Sequence, residues 1–153
     1  MRNGPSTFFL DTNVLVYAYD TTDAQKRARA LEVLERLGSG QGGALSAQVL
    51  GEFFMTVTRK IPQPLTLEEA ERSVSHYVRS WTVYDLTEQS VLEAMRAVRQ
   101  YQLAYWDGLI WATAKLNRVP TILSEDFQNG ILLEGVRVQN PFAEDYDLSV
   151  LNR

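Results

Sequence analysis

The chain has no cysteine and a single histidine, His76, among its 153 residues. Without cysteine it cannot form disulfides, use a thiolate nucleophile or build a cysteine-based zinc or iron site. One histidine excludes a histidine-rich metal site and a two-histidine acid/base pair within one chain. Any hydrolytic chemistry must therefore depend on oxygen ligands.

Long apolar runs and low-complexity tracts are also missing. No segment approaches the length of a membrane span, and the first five residues lack the apolar segment of a secretory signal. We therefore expect a cytoplasmic protein with no membrane contact. A composition of 45% hydrophobic and 22% charged residues predicts a single domain over residues 1–153, with a core of about 7–142 and an acidic tail at 143–153.

Positive charge is scarce, since the net charge is −4 and the sequence pI is about 5.0. This balance is not typical of a general nucleic-acid binder, so any RNA-binding surface must be local. The candidate cations are Lys26, Arg27, Arg29, Arg59, Lys60, Arg96, Arg99, Lys115 and Arg118. The alternative is that these residues are ordinary solvated helix faces.

Strand-like and helix-like segments alternate along the chain. Strands are predicted at residues 7–10, 44–46, 81–84, 120–123 and 136–138. Helices are predicted at 24–37, with an apolar stripe of Ala28, Leu31, Leu34 and Leu37, and at 47–59, from 66 or 67, 88–101 and 106–117. The glycine-rich loop 39–43 lacks a phosphate-binding spacing and is assigned to chain reversal. This order predicts an α/β fold, a mostly parallel five-stranded sheet with helices on both faces.

Asp11 ends the first apolar run. A buried parallel strand at residues 7–10 would deliver its carboxylate to a cleft, because ligands gather beyond the carboxyl ends of such strands. The alternative is that Asp11 only caps the following helix.

Three other acids stand in comparable places. Asp126 follows another apolar strand, and Glu52 lies near a helix start just after the second strand. Asp107 lies in the first turn of a helix whose residues 109–114 carry no charge. Gly108 beside it costs roughly 1 kcal/mol in a helix, which indicates a close approach by backbone, ligand or another chain.

Convergence of these carboxylates would require compensation. Two ionised acids about 4 Å apart repel by roughly 4 kcal/mol at an effective dielectric near 20, and several such pairs rival the roughly 5 to 15 kcal/mol that stabilises a domain. Protons or cations must then occupy the cluster. Oxygen-only ligation suits Mg²⁺ or Mn²⁺, which can position and deprotonate a water for attack on a phosphodiester.

Four short motifs occur in a recognisable order. They are Asp11-Thr12-Asn13, Ser46 through Glu52, the stretch from Tyr105 to Ala114 that contains Asp107, and Ser124-Glu125-Asp126. Together with the closing residues 136–142 they resemble the PIN-domain family, in particular VapC-type toxin nucleases of type II toxin-antitoxin systems. The resemblance covers residues 7–142.

The resemblance implies a three-layer α/β/α domain, metal-dependent endoribonuclease activity, a homodimer and a cognate antitoxin that blocks the active site. It implies catalytic and metal-site roles for Asp11, Glu52, Asp107 and Asp126, with Glu125 as a competitor of Asp126. Asn13, Ser46 and Ser124 would orient carboxylates or contact substrate. Mg²⁺ is the expected cofactor and Mn²⁺ a possible substitute, with RNA as the substrate.

Two other functions stay open from the sequence. Asp11 could be the nucleophile of a phosphoryl-transfer domain. Such domains have an Asp-x-Asp pattern at the first strand, whereas here Asn13 stands in place of the second aspartate. The fold could also serve as a non-catalytic RNA- or protein-binding module. Tyr17, Tyr19, Tyr105 and Trp106 are candidates for stacking on bases, and are equally compatible with core or dimer contacts.

Overall fold

The computed structural model describes residues 7–39 and 42–152. Two expectations depend on residues that lie outside these ranges. They are the lack of a secretory signal at residues 1–6 and the chain reversal at the glycine-rich loop, which includes residues 40 and 41. Within the described ranges, no helix is both long enough and apolar enough to cross a bilayer.

The strands and helices alternate much as predicted. In the part of the chain that the structure describes, the strands are β1 (Phe8–Leu10), β2 (Gly43–Ser46), β3 (Thr82–Tyr84), β4 (Thr121–Leu123), β5 (Leu132–Leu133) and β6 (Val136–Gln139). The helices are α1 (Thr12–Tyr17), α2 (Ala24–Ser39), α3 (Ala47–Arg59), α4 (Leu67–Ser80), α5 (Glu88–Tyr101) and α6 (Tyr105–Leu116), followed by a 3₁₀ helix at Leu148–Asn152.

The strands form one sheet in the order β3-β2-β1-β4-β6-β5, in which every pairing is parallel except β5 with β6. From β1, the next strands β2 and β3 lie successively further toward one edge of the sheet. The chain then crosses back to the other side of β1, where it forms β4. Because parallel crossovers are right-handed, this reversal places α5 and α6 on the face opposite to α1 through α4. The predicted α/β class with a mostly parallel sheet between helices is confirmed.

The sheet has six strands where five were predicted. The missed strand β5 pairs antiparallel with β6 through a two-residue turn at Glu134 and Gly135, both of which have positive φ (50° and 87°). Two residues are too few to show any hydrophobic periodicity, and this is why the sequence pattern did not reveal β5. Its turn is the tight type that joins antiparallel strands.

Helix α2 presents to the core a face that only partly matches the predicted stripe. Leu37 is fully buried and Leu34 packs against the core, whereas Ala28 and Leu31 are exposed and Ala30 and Val33 are fully buried. Steps of three residues drift by about 60° each around a helix, so a stripe built only from such steps leaves the core face. Mixed steps of three and four, as from Ala30 to Val33 to Leu37, stay on one face.

Helix α6 is surrounded by protein, as its uncharged stretch predicted. Every residue from Gly108 to Ala114 is buried. A Cβ added at Gly108 would lie 3.1 Å from the carbonyl oxygen of Ala94 on α5. The close approach that Gly108 indicated is therefore the backbone of the neighbouring helix, and α6 is held at a fixed depth with Asp107 at its N-terminal end.

The residues after Pro141 return to the core. The 3₁₀ helix at Leu148–Asn152 buries Leu151 and lies against α2, where Arg36 Nη1 donates to Asn152 Oδ1 at 3.3 Å. Near its start, Tyr146 Oη donates to Gln139 Oε1 at 3.0 Å. The acidic tail therefore drapes over the domain.

Candidate metal centre and active-site cleft

The cleft lies where the strand order reverses. β1 and β4 are adjacent, with Leu10 opposite Leu123, and the Asp11 N–H donates to the Leu123 carbonyl at 3.0 Å. The chain leaves β1 into α1 on one face of the sheet and reaches β4 from α6 on the opposite face, which opens a crevice beyond the carboxyl ends of the two strands. Asp11 and Ser124 are the first residues past the two strands, so the sheet register itself brings them together.

Asp11 both caps a helix and faces the cleft, so the two interpretations of this residue are not exclusive. As the N-cap of α1, its Oδ1 accepts from the Thr12 N–H at 2.7 Å. Its Oδ2 accepts from Ser124 Oγ at 2.7 Å and from Asn13 Nδ2 at 3.4 Å. The carboxyl is 4% exposed. Asn13 and Ser124 thus both contact this carboxyl.

Three carboxylates meet at this point. One oxygen each from Asp11, Asp107 and Asp126 can be chosen so that all lie within 4.8 Å of one another. Asp11 is buried, Asp107 is half-buried and Asp126 is exposed. The Asp126 N–H donates to Ser124 Oγ at 3.0 Å, so one hydroxyl links the loop after β4 to the carboxylate after β1.

The charge state of the cluster reflects burial and mutual repulsion. The pKa of Asp11 is raised to about 7, mainly by burial and to a smaller extent by the nearby Asp126 and Asp107, while the hydrogen bonds from Ser124 and Thr12 oppose the rise. Burial also raises the pKa of Asp107, with Asp126 and Glu52 adding to the rise. Both carboxyls therefore favour either a proton or a nearby cation.

Glu52, on α3, lines a wall of the same cleft. Thr12 Oγ1 donates to Glu52 Oε1 at 2.7 Å, and Gln48 Nε2, one turn earlier on α3, lies 3.5 Å from the same oxygen. Gln48 Nε2 also donates to the Trp106 carbonyl at 3.1 Å. Gln48 therefore connects the helix of Glu52 to the helix of Asp107.

Thr12 and Gln48 were not singled out from the sequence. Thr12 adjoins Asp11, and Gln48 lies four residues before Glu52, which places both amide and carboxylate on one helix face. That spacing was a usable signal. The Gln48 amide nitrogen faces two acceptors, so its orientation is fixed, and its Oε1 has no hydrogen-bond partner within the described residues. Asn13 Oδ1 is likewise buried without a partner there.

Ser46 is placed differently from the other predicted supporting residues. It is fully buried as the N-cap of α3, where its Oγ accepts from the Val49 N–H at 3.2 Å. Its contacts therefore fix the start of α3, and through α3 the position of Glu52, while the residues that line the cleft lie further along the helix.

Glu125 does not join the carboxylate cluster. Lys26 Nζ donates to Glu125 Oε2 at 2.8 Å, and the Tyr17 hydroxyl donates to Glu125 Oε1. The Lys26 ammonium also lies 4.7 Å from the centre of the Tyr17 ring. These contacts direct Glu125 to the rim, and the turn after β4 directs Asp126 inward.

Two of the candidate basic groups are engaged elsewhere. Arg96 and Lys115 both pair with Glu93 and Glu134, at 2.8 or 2.9 Å in each case. This network joins α5, α6 and the turn between β5 and β6, and it lowers the pKa of both glutamates to about 2. These cations therefore support the fold on the side of the sheet that carries α5 and α6.

The donor set fits a divalent cation. Three carboxylates within reach of a single ion, in a cleft of about 790 Å³ that Glu52 also lines, offer the oxygen ligands that hard dications prefer. Burial, with a smaller contribution from the neighbouring acids, raises the pKa values of Asp11 and Asp107, and a bound cation would favour the ionised form of both carboxyls. The cluster could therefore hold a metal ion.

The fold and the site together define the class: a mostly parallel α/β domain with a carboxylate cluster at the switch point of its sheet. The family model for the PIN domain matches residues 8–128, which is more than half of the chain. The chain therefore belongs to the PIN domain family, and the resemblance found in the sequence is confirmed.

Several solved structures share the fold. The DNA-bound VapBC of Salmonella typhimurium has a TM-score of 0.62 at 17% identity, covering 89% of this chain and 98% of that one. A toxin-antitoxin complex from Klebsiella pneumoniae has a TM-score of 0.61 at 18% identity, with coverages of 89% and 98%.

The sarcin-ricin loop cleaving toxin VapC20 of Mycobacterium tuberculosis has a TM-score of 0.61 at 16% identity, covering 78% of this chain and 90% of that one. At these identities the likeness establishes the fold, which is that of VapC toxins. A search of curated proteins gives no significant match.

Proposed function

We propose that this protein is an endoribonuclease dependent on Mg²⁺ or Mn²⁺ and the toxin of a toxin-antitoxin pair. The observation that carries the proposal is the meeting of Asp11, Asp107 and Asp126 within 4.8 Å at the switch point of the sheet. A cluster of this kind serves a phosphodiester hydrolase, whose substrate brings further negative charge to the same place.

In this proposal the three aspartates hold the metal, with Glu52 as the fourth acid. When bound, the dication supplies charge neutralisation at the scissile phosphate and lowers the pKa of water. Ser124 and Asn13 hold Asp11 with one oxygen toward the cluster. Thr12 and Gln48 hold Glu52 in place on α3, where it lines the cleft.

The alternative of Asp11 as a phosphorylated nucleophile is weaker. A nucleophile must reach the phosphorus atom, whereas Asp11 is 4% exposed and each of its oxygens accepts a short hydrogen bond. Such a carboxylate is better suited to ligation than to in-line attack. A non-catalytic binding module would not explain why the fold tolerates the electrostatic repulsion and burial of these clustered carboxylates.

The partners belong to the same proposal. Two of the structures with this fold are a toxin-antitoxin complex and a DNA-bound VapBC, which supports a cognate antitoxin here. A homodimer in the cytoplasm is also proposed, and the exposed apolar residues Leu92 and Met95 on α5 offer a surface for it.

The test is cleavage of single-stranded and structured RNA by purified protein with Mg²⁺ or Mn²⁺. Asp107→Asn should lower the rate by at least about a hundredfold, because loss of a ligand should cost more than the 10- to 100-fold typical of its outer-shell partners. Asp85→Asn, an exposed acid away from the cleft, is the matched control. Cleavage that persists in Asp107→Asn, or in a chelator, would contradict the proposal.

A further inference from the structure

The cleft is unusually poor in positive charge for a site that would accept a polyanion. Its lining residues within the described chain include six acids, namely Asp11, Asp20, Glu52, Asp107, Glu125 and Asp126, and a single cation, Lys60. Metal ions can offset charge at the cluster itself. Beyond the cluster, Lys60 is the one cation among the described lining residues that could meet a nucleic-acid backbone, since nearby Lys26 is paired with Glu125.

Lys60 is free to make such a contact. It is exposed at the C-cap of α3, and it forms no ion pair with any residue in the ranges 7–39 and 42–152. It lies eight residues after Glu52, or about 12 Å along the helix axis at 1.5 Å per residue. Its ammonium can therefore reach a backbone phosphate away from the carboxylate cluster but within the same cleft.

Trp106 lies at the other end of this wall. Its side chain lines the cleft and is 60% exposed, beside Asp107. Its backbone carbonyl is held by Gln48 Nε2 at the start of α3, and its ring packs edge-on to Tyr105 with 5.0 Å between ring centroids. An exposed indole with a fixed backbone can stack on a base at low entropic cost.

The order of these residues along α3 defines a track. Gln48, which contacts Trp106, comes first, Glu52 follows one turn later and Lys60 lies two further turns along. The carboxylate cluster therefore faces the stretch between the indole and the ammonium. A base can stack on Trp106 only if it is free of a duplex, so the geometry selects an unpaired strand.

We propose that the cleft binds single-stranded RNA with one base stacked on Trp106 and a backbone phosphate on Lys60, and with the scissile phosphate between them. The inference rests on the proposed function in taking the carboxylate cluster as the place of cleavage. It adds two substrate-binding residues, Trp106 and Lys60, to the proposed site.

Fluorescence anisotropy with a labelled, randomised 2′-O-methyl RNA 10-mer in Mg²⁺ tests each contact separately. Trp106→Ala should weaken binding by about 5- to 150-fold, the range for one stacked base, with Trp106→Phe retaining most of the affinity. Lys60→Ala should weaken binding and reduce the slope of log K against log salt by about 0.7, as expected for one lost phosphate contact to a single strand.

The matched controls are close by. Arg59→Ala removes the adjacent exposed cation, which does not line the cleft, and should leave the salt slope unchanged. Leu67→Ala removes an apolar side chain about as exposed as Trp106 but on α4, outside the cleft, and should leave the affinity unchanged. Trp106→Ala should leave the salt slope unchanged, since it removes no charge.

Three results would overturn the inference: wild-type affinity and slope in Lys60→Ala, equal losses in Arg59→Ala, or equal binding of a duplex of the same length. A loss of RNA affinity in Trp106→Ala that accompanies a change of oligomeric state in gel filtration would assign the indole to a subunit contact and would also overturn the inference.

The proposed function is tested separately, by RNA cleavage by the wild type. Cleavage with unaltered binding in both variants refutes this inference alone.

Discussion

At the scale of single residues, the titratable group of interest is Asp11, whose side chain is buried away from water. Its carboxyl is buried beside two other acids, so its pKa rises from an ordinary value of 3.8 to about 7. The folded, metal-free protein therefore keeps a proton on Asp11 at pH values where the unfolded chain has lost it. Proton binding and folding are consequently linked at this residue.

The sign of this linkage can be measured. Because the folded-state pKa lies above the unfolded one, the stability contributed by protonated Asp11 is complete below about pH 4 and is lost as the pH rises through 7. The span corresponds to roughly 4 kcal/mol at 1.36 kcal/mol per pH unit. In metal-free buffer, Asp11→Asn should therefore gain stability relative to the wild type by up to that amount between pH 4 and pH 8.

Urea denaturation of both proteins across this pH range is the measurement, and the difference between them isolates Asp11 from other titrating groups. Glu93 and Glu134 titrate at the acid end, because their ion pairs lower both pKa values to about 2. Their stabilisation is lost only as the pH falls below about 4.5. A difference between wild type and Asp11→Asn that does not change with pH would show that Asp11 is ionised throughout.

At the scale of elements, the contact between α5 and α6 sets the position of Asp107. Gly108 allows this contact, since its Cα hydrogen faces the Ala94 carbonyl of α5. The ion-pair network of Arg96, Lys115 and the two glutamates spans the same pair of helices. Packing and charge together thus hold the N-terminal end of α6 at the cleft.

Gly108→Ala should destabilise the domain even though alanine is the better helix former. The added methyl group would lie 3.1 Å from a backbone oxygen, and overpacking of this kind costs about 1–3 kcal/mol, more than the roughly 1 kcal/mol gained in helix propensity. Gly51→Ala on α3 is the matched control, because no atom lies within 4 Å of its added Cβ. That variant should be stabilised by up to about 1 kcal/mol.

The stabilities of the two variants are compared by the midpoints of their denaturant unfolding curves. A Gly108→Ala protein as stable as Gly51→Ala would mean that α5 and α6 can separate without cost. In that case the glycine would not be what fixes the depth of α6.

At the scale of the whole molecule, the cleft exists because the chain reverses direction across its sheet. β1 and β4 become neighbours although more than a hundred residues separate them, and α3 and α6 approach from opposite faces. The carboxylates therefore come from four separate parts of the chain. A bound dication would tie these parts together, and it should stabilise the entire fold.

Thermal unfolding with increasing Mg²⁺ or Mn²⁺ tests this coupling. At a concentration ten times the dissociation constant, one site adds about 1.4 kcal/mol, which for a domain of this size raises Tm by roughly 3–6 °C. Asp107→Asn should abolish most of the rise, and Asp85→Asn should keep it. An equal rise in Asp107→Asn would place the ion elsewhere on this acidic protein.

The limits of prediction from sequence follow from the range of the interactions involved. The bounds of α3 and α5 and the burial of α6 were predicted because they depend on periodicity, caps and neighbours within a few residues. The strand β5 was not predicted, because it is too short to show periodicity. The core face of α2 was predicted only in part, because it depends on which side of the helix meets the sheet.

Residue types and their order were enough to predict the α/β class, to exclude cysteine-based sites and to reveal the resemblance to the PIN domain family. Three-dimensional packing was needed to show that Asp126 joins the cluster while Glu125 pairs with Lys26, that Gln48 connects Glu52 to the helix of Asp107, and that Lys60 and Trp106 line one cleft. The physical reason is that each of these contacts joins residues distant in sequence. Their distances are set by the strand register and by the packing of helices on opposite faces of the sheet.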